Sequence, residues 1–222
     1  MKTPLADRIR PKTLDEVVGQ KHLIGEGKIL RNIIENDEVP NMIFYGPSGV
    51  GKTTIANIIA QKTGKTLHRL NATTASVADI KNIVSTLDSF LAMDGVLLYL
   101  DEIQHFNKKQ QQSLLEFMEN GKITLIASTT ENPYFEVNSA LLSRSQIFHL
   151  EPLAESDIYR LVKTAVEDNE RGMGAYGAVI TEEAARFIAE MAGGDARRAL
   201  NAVELGVLTT EPDDKGQLVI DL

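Results

Sequence analysis

Hydrophobic positions follow two alternating patterns through the first 150 residues. Short apolar runs are typical of parallel strands that are covered on both faces. They predict five strands: Met42–Tyr45, Thr66–Leu70, Val96–Leu100, Ile123–Ala127 and Gln146–Leu150. Between them, apolar residues at helical spacing predict helices at Gly27 to Asp37, Lys52–Thr63, Ser76–Leu91 and Asn107–Glu119. This alternation predicts an α/β fold, with a five-stranded parallel sheet flanked by helices.

The pattern changes after Glu151-Pro152. Three further helices are predicted at Glu155–Asp168, Thr181–Met191 and Gly194–Leu208, which together indicate a small all-helical lid domain. We therefore expect an α/β nucleotide-binding domain at 1–151, a lid at 152–210 and a loose C-terminal tail at 211–222. Residues 1–20, which contain Pro4 and Pro11, are expected to be extended. The glycine-rich segment Arg171–Val179 is expected to be a loop.

Composition narrows the class of protein. The 222 residues include no cysteine and carry a net charge of −8, and no apolar run is long enough to span a bilayer. The early charged residues do not form a signal peptide. We expect a cytoplasmic protein with no membrane partner. Because the net charge is negative and nucleic acid is also negative, any contact with nucleic acid should be confined to a local patch, to regions outside this sequence, or to an assembled oligomer.

A glycine-rich loop follows the first predicted strand. Its sequence, GPSGVGKT, matches the pattern G-x-x-x-x-G-K-[ST] in the strand–loop–helix context that this pattern requires. Backbone N–H groups and the positive end of the next helix would hold phosphate. Lys52 would neutralise phosphate charge, and Thr53 would ligate a metal ion. The predicted cofactors are ATP and Mg²⁺, with these binding residues: Gly46, Pro47, Ser48, Gly49, Val50, Gly51, Lys52, Thr53 and Thr54.

Two acids directly follow the third predicted strand. Ligands of parallel sheets bind beyond the carboxyl ends of the strands, so Asp101 and Glu102 should lie near the phosphate loop. Asp101 would help to hold Mg²⁺, and Glu102 would orient the attacking water. Two solvated acids at a helix start are the alternative, which the neighbouring loop disfavours. The pair favours a nucleotide hydrolase over a small-molecule kinase.

Other polar positions are ambiguous from the residues alone. The segment Ser128 to Asn132 could sense phosphate or could simply be a turn. Arg144, Arg197 and Arg198 could stabilise phosphoryl charge or form surface salt bridges, and Asp195 is a candidate N-cap. Lys108 and Lys109 could contact DNA, although a solvated helix start is the simpler interpretation. The four histidines lack ligand spacing, so no zinc site is predicted.

Taken together, these segments resemble the AAA+ ATPases, and within their clamp-loader-like group the RarA/MgsA family. That family comprises replication-associated recombination protein A and its eukaryotic relative, the Werner-helicase-interacting protein. The resemblance covers nearly the whole chain. It is carried by PLADRIRPKTLDEVVGQKHLIG, MIFYGPSGVGKTT, LDEIQHFNKKQQ, ITLIASTTENPYFEVNSALLSRS and GGDARRALNAVE. The segments HFNKKQQ and STTENPYFEVNSALLSR are the most specific to the family.

The resemblance implies roles for the ambiguous residues. Thr130 would be the sensor-1 residue, and Arg197 the sensor-2 arginine on the lid. Arg144 would be an arginine finger acting in a neighbouring subunit, although Ser145 stands where clamp loaders have cysteine. Asn71 would be a switch partner of Glu102. Residues similar to an adenine-packing segment are Ile9, Arg10, Pro11, Val17, Val18 and Gly19.

The resemblance also implies the function. It indicates an ATP-dependent DNA-maintenance ATPase associated with replication forks, recombination and repair, with nucleoid localisation. DNA forks or ends, other copies of the chain, and replication proteins such as single-strand-binding protein are the expected partners. Relatives continue into an oligomerisation region, so we expect an N-terminal ATPase fragment with impaired self-association and weak hydrolysis. A nucleotide-gated interaction module with incidental hydrolysis is the alternative.

Overall fold

The computed structural model describes residues 3–86, 96–121, 123–214 and 216–221, and within them the chain divides into two units. The first unit combines residues up to Gln20, Ser48–Gly51, and the chain from Glu151 onward. The second unit combines Lys21–Pro47 and Lys52–Leu150. The described helices are α1 Leu5–Arg8, α2 Lys21–Ile24, α3 Ile29–Glu35, α4 Lys52–Thr63, α5 Val77–Thr86, α6 Lys108–Glu119, α7 Pro133–Glu136, α8 Ser139–Leu142, α9 Glu155–Glu167, α10 Glu182–Met191 and α11 Ala196–Thr209.

A five-stranded parallel sheet forms the centre of the second unit. Its strands are β1 Met42–Tyr45, β2 Thr66–Asn71, β3 Val96–Asp101, β4 Ile123–Thr129 and β5 Gln146–His149. Their spatial order is β2-β3-β4-β1-β5, with every neighbouring pair parallel. The first five residues of β3 are buried, as are all but one residue of β4, because both strands are covered on both faces. The predicted parallel sheet is therefore confirmed.

The helices of the second unit begin close to their predicted positions. Asn107 caps α6 through a capping box: its side chain accepts from the Gln110 backbone, and the Gln110 side chain accepts from the Asn107 backbone. The predicted helix at Ser76–Leu91 is described as α5 up to Thr86, and its remainder lies outside the described residues. Short helices α2, α7 and α8 were not predicted.

The first unit has a helical core built from α9, α10 and α11, whose predicted positions are confirmed. Ile158, Val162, Ala185 and Val203 are fully buried within it. Apolar residues at helical spacing on each helix account for this packing.

Two expectations about the first unit are wrong. Residues 1–20 are not uniformly extended, because Leu5–Arg8 form α1 and Leu14–Glu16 form a 3₁₀ helix. Pro4 occupies the N-cap of α1, and a proline near the start of a helix costs no intrahelical hydrogen bond. Leu5 is fully buried, which anchors this turn in the helical core.

The C-terminal segment also differs from the expected loose tail. Residues Val219–Ile220 form β7, which pairs in parallel with β6 at Val179–Ile180, at the end of the predicted loop. The lid region is therefore not purely helical. Both strands are β-branched pairs, and Ile180 and Ile220 are buried in the helical core, which holds the short sheet in place. None of the helices in the described part of the chain has the length and apolar character that crossing a bilayer demands.

Candidate nucleotide-binding site

The phosphate loop lies between β1 and α4, as its sequence context predicts. Gly46 has a φ of +146°, and a Cβ at this position would lie 2.1 Å from the carbonyl oxygen of Leu150. Its backbone N–H donates to the carbonyl of Thr129 at the end of β4. Only glycine fits this combination of backbone conformation and close approach, so the first glycine fixes where the loop leaves the sheet.

Lys52 is the first residue of α4 and is 8% exposed. Its Nζ donates to the carbonyl oxygens of Gly46, at 2.6 Å, and Pro47, at 2.7 Å. A buried ammonium group requires such partners, because leaving water without them is costly. The side chain is thus folded along the loop that the sequence assigns to phosphate.

The middle of the phosphate loop packs against the start of α11 within the first unit. The Ser48 hydroxyl donates to Asp195 Oδ2 at 2.8 Å, and the Ala196 N–H donates to the Gly49 carbonyl at 3.1 Å. Asp195 also caps α11, since its Oδ1 accepts from the Arg198 N–H at 3.0 Å. The predicted N-cap is confirmed. Gly49, at φ +68°, allows this approach, because a Cβ there would lie 1.8 Å from Asp195 Oδ1.

The two acids lie at the carboxyl end of β3. Asp101 is its last residue, and Glu102 follows in a left-handed conformation, with φ 56° and ψ 48°. That conformation is uncommon for a residue with a side chain. The Glu102 carboxylate accepts from Gln104 Nε2 at 2.6 Å and lies 3.4 Å from the donating Thr130 hydroxyl. The structure therefore brings the expected water-orienting residue and the expected sensor together.

A buried cluster of hydroxyl groups joins the two expected metal ligands. The Tyr99 hydroxyl lies 3.0 Å from Thr53 Oγ1, 2.9 Å from Ser128 Oγ and 3.3 Å from Asp101 Oδ1. The Ser128 hydroxyl also donates to Asp101 Oδ1. Burial, reinforced by the negative charge of Asp101, raises the pKa of Tyr99 to about 12, so the phenol keeps its proton at neutral pH.

Arg144 follows α8 and borders a groove on the second unit. Its guanidinium lies 2.9 Å from Glu119 Oε1 and also donates to the Ala140 carbonyl and the Ser143 hydroxyl. Both members of the ion pair are about half exposed. Exposed pairs of this kind contribute about 0–1 kcal/mol, so the pairing does not hold Arg144 firmly. The groove is lined by Gln112, Leu115, Glu116, Glu119, Asn120, Ala140 and Arg144.

The remaining candidate residues are spread over both units. Arg10, Pro11, Val17, Val18 and the exposed Arg197 belong to the first unit. The Arg10 guanidinium pairs with Asp7.

In the second unit, Thr54 lies in the first turn of α4. The Asn71 side-chain oxygen accepts from the N–H and hydroxyl of Thr73, so its switch role stays a prediction. Lys108 and Lys109 are exposed at the start of α6, and their contact with DNA also stays a prediction.

Sequence reasoning did not single out Tyr99, Gln104 or the pairing of Ser48 with Asp195. Tyr99 does carry a signal: it is the one polar-tipped side chain in the run Val96–Leu100, and it lies two residues before Asp101, on the same face of β3. Ser48 and Asp195 are separated by 147 residues, and no local pattern connects them.

The parallel sheet, the loop and the acids define a P-loop nucleotide-binding protein. Residues 9–136, more than half of the chain, match the family model described as the Holliday junction DNA helicase RuvB P-loop domain. The chain therefore belongs to this family of P-loop domains.

Curated relatives at 38–42% identity support the resemblance to the RarA/MgsA family. Replication-associated recombination protein A of Escherichia coli K12 is 42% identical over 98% of the chain and 49% of the relative. The protein of the same name from Bacillus subtilis is 41% identical over 99% and 51%, respectively. ATPase WRNIP1 of Dictyostelium discoideum is 38% identical over 92% of the chain. The predicted resemblance is confirmed. The chain spans about half the length of the bacterial relatives and 23% of ATPase WRNIP1.

Solved structures agree on the fold. The Thermotoga maritima RuvB Holliday junction branch migration motor has a TM-score of 0.71 and 27% identity, and the match covers 89% of this chain and 64% of that one. A lysine-to-arginine mutant of RuvB from the same organism has a TM-score of 0.74 over 96% of this chain and 70% of that one, at 24% identity. The second match concerns the fold alone.

Proposed function

We propose that this chain binds ATP with Mg²⁺ and hydrolyses it to drive a DNA-maintenance reaction at replication forks or recombination and repair intermediates. The observation that carries the proposal lies within the second unit, at the carboxyl edge of one parallel sheet. There the end of the phosphate loop, at Lys52 and Thr53, converges with Asp101, Glu102 and Thr130. That edge is where ligands of open α/β sheets bind. The names of the curated relatives support the link to DNA replication and recombination.

The residues of the second unit fit a hard divalent cation. Thr53 and Asp101 offer a hydroxyl and a carboxylate oxygen, the ligand types that Mg²⁺ prefers, and the Tyr99 hydroxyl joins them. Mg²⁺ would neutralise charge on the phosphates. Lys52 would exchange its loop carbonyls for phosphate oxygens. Glu102 and Thr130 would position the attacking water and sense the γ-phosphate.

Arginines would complete the reaction. Arg197 would contact the γ-phosphate, and Arg144, released from Glu119, would act on nucleotide held by a neighbouring subunit. The segment containing Arg10, Pro11, Val17 and Val18 would pack on adenine. DNA forks or ends and replication proteins such as single-strand-binding protein are the proposed partners, within a cytoplasmic, nucleoid-associated oligomer. We also propose that the nucleotide-binding domain ends at residue 151 and the lid at residue 210.

The test is ATP hydrolysis in the presence of forked, tailed and blunt DNA at fixed salt, in the longest natural form of the protein that carries this sequence. We expect DNA to raise kcat, with one structure raising it most. The matched variant Glu102→Gln should bind ATP normally and fail to cleave it in a single turnover. If that variant cleaved ATP as fast as the parent, Glu102 would not be the residue that orients the attacking water.

The same experiment separates the competing class of protein. In a nucleotide-gated interaction module, partner docking would depend on bound ATP, whereas DNA would leave hydrolysis unchanged. If no DNA structure stimulates hydrolysis and Glu102→Gln still docks its partner reversibly, the DNA-driven ATPase would be the wrong assignment.

A further inference from the structure

The hydroxyl of Tyr99 lies at the centre of a buried cluster contributed by three elements. Thr53 comes from α4, Tyr99 and Asp101 from β3, and Ser128 from β4. Tyr99 is 2% exposed and Ser128 is fully buried. A buried phenol needs partners for its hydroxyl, but it does not need them to be the two expected metal ligands. Here it contacts both.

Counting hydrogens gives the cluster a direction. Each hydroxyl has one hydrogen to donate, and an ionised Asp101 has none. The Ser128 hydroxyl donates to Asp101 Oδ1, and the Tyr99 hydroxyl donates to Ser128 Oγ at 2.9 Å, with Asp101 Oδ1 at 3.3 Å as its weaker acceptor. The hydrogen in the 3.0 Å contact between Thr53 and Tyr99 therefore comes from Thr53.

The direction matters for metal binding. A hydroxyl that ligates a cation through its oxygen must turn its hydrogen away from that cation and donate it to another group. The Tyr99 oxygen accepts that hydrogen from Thr53, which leaves the Thr53 lone pairs for a ligand. Ser128 and Tyr99 both engage Asp101 Oδ1, so its Oδ2 is the oxygen that this cluster does not use.

We propose that Tyr99 is a positioning residue for the divalent cation, which accepts the Thr53 hydrogen and couples Thr53 to Asp101 through Ser128. The inference rests on the proposed function, because it concerns the metal ion of the same site. Groups that orient metal ligands in this way typically change metal affinity by about 10–100-fold when they are removed. Tyr99 acts through Thr53 and Asp101, so the expected effect of its removal is on cation binding.

The experiment measures Mn²⁺ binding to the protein–nucleotide complex by electron paramagnetic resonance, alongside nucleotide affinity in EDTA. Tyr99→Phe keeps the ring and removes the hydroxyl. We expect it to weaken Mn²⁺ binding about 10-fold or more and to change metal-free nucleotide affinity by less than about twofold. Ser128→Ala, which interrupts the same hydrogen-bond chain, should act in the same direction and provides the test if Tyr99→Phe does not fold.

Two comparisons separate positioning from packing. Tyr159→Phe removes a hydroxyl that donates to Glu182 in the first unit and should leave Mn²⁺ binding unchanged. In the Thr53→Ala background, Tyr99→Phe should have little further effect, because its partner is already gone. Mn²⁺ binding by Tyr99→Phe as tight as the parent's would overturn the inference. A parent complex that binds no Mn²⁺ would instead count against the proposed function.

Discussion

At the residue scale, the phosphate loop depends on close contacts that few side chains permit. Gly46 and Gly49 each allow an approach that a Cβ would block, and Lys52 is buried against carbonyls of its own loop. These residues could be predicted because a local pattern specifies them. Tyr99 stands out in its apolar run, but its role could not be predicted, because that role depends on bringing α4, β3 and β4 together. Such contacts are set by tertiary packing and leave little local signal.

Lys52→Ala should abolish nucleotide binding, because it removes the ammonium group that the phosphate loop holds and that would neutralise phosphate charge. Calorimetric titration with ATP and Mg²⁺ measures the effect. Lys62→Ala, on the exposed last turn of the same helix, is the matched control and should bind as the parent does. Parent-like ATP affinity in Lys52→Ala would remove the basis for assigning the loop to phosphate.

At the element scale, the regular helices and strands follow the hydrophobic pattern, whereas short elements do not. The strands β6 and β7 have two residues each, too few for any alternation to be visible in the sequence. Helix α1 begins directly after a proline, which the sequence pattern indicated as a breaker. Asp195 shows the opposite case, because its position before α11 predicted a cap that the structure contains.

Asp195→Ala should lower the free energy of unfolding by about 1 kcal/mol, because α11 loses its N-cap. Urea denaturation measures the difference. Asp195→Asn is the informative comparison, since asparagine caps helices about as well and should recover most of the loss. Ser48→Ala removes the hydrogen bond between the phosphate loop and Asp195 and leaves the cap intact. If Asp195→Asn were as unstable as Asp195→Ala, the cap would not be the main source of the stability.

At the scale of the whole molecule, the family and the sheet could be predicted, because motifs spread over nearly the entire chain support each other. The boundaries at residues 151 and 210 stay predictions. The contacts divide the chain differently, since both the residues up to Gln20 and Ser48–Gly51 group with the helical part. The role of Arg144 involves more than one chain. The structure pairs it with Glu119 of its own chain, whereas the proposed function has it contact nucleotide bound to a neighbouring subunit.

Mixing two inactive variants tests that assignment. Arg144→Ala keeps its phosphate loop, and Lys52→Ala keeps its arginine, so each alone should hydrolyse ATP poorly. An arginine finger contributes about 10³–10⁵ in kcat, so mixed oligomers should recover readily measurable hydrolysis. In the control, Arg144→Ala is mixed with the double variant Lys52→Ala/Arg144→Ala. This mixture has no subunit with the arginine, so it should recover no hydrolysis. Mixed oligomers without recovered activity would argue that Arg144 does not act in trans.

The contact between Ser48 and Asp195 has a consequence for biosynthesis. The two residues are 147 positions apart, so the loop segment leaves the ribosome well before its partner exists. At about 5–20 residues per second, the delay is roughly 7–30 s. During that interval the sheet can form from sequence already made, whereas the middle of the phosphate loop still lacks its hydrogen bonds with Asp195 and Ala196. The phosphate loop therefore acquires its last hydrogen bonds late in translation, after the start of α11 has emerged.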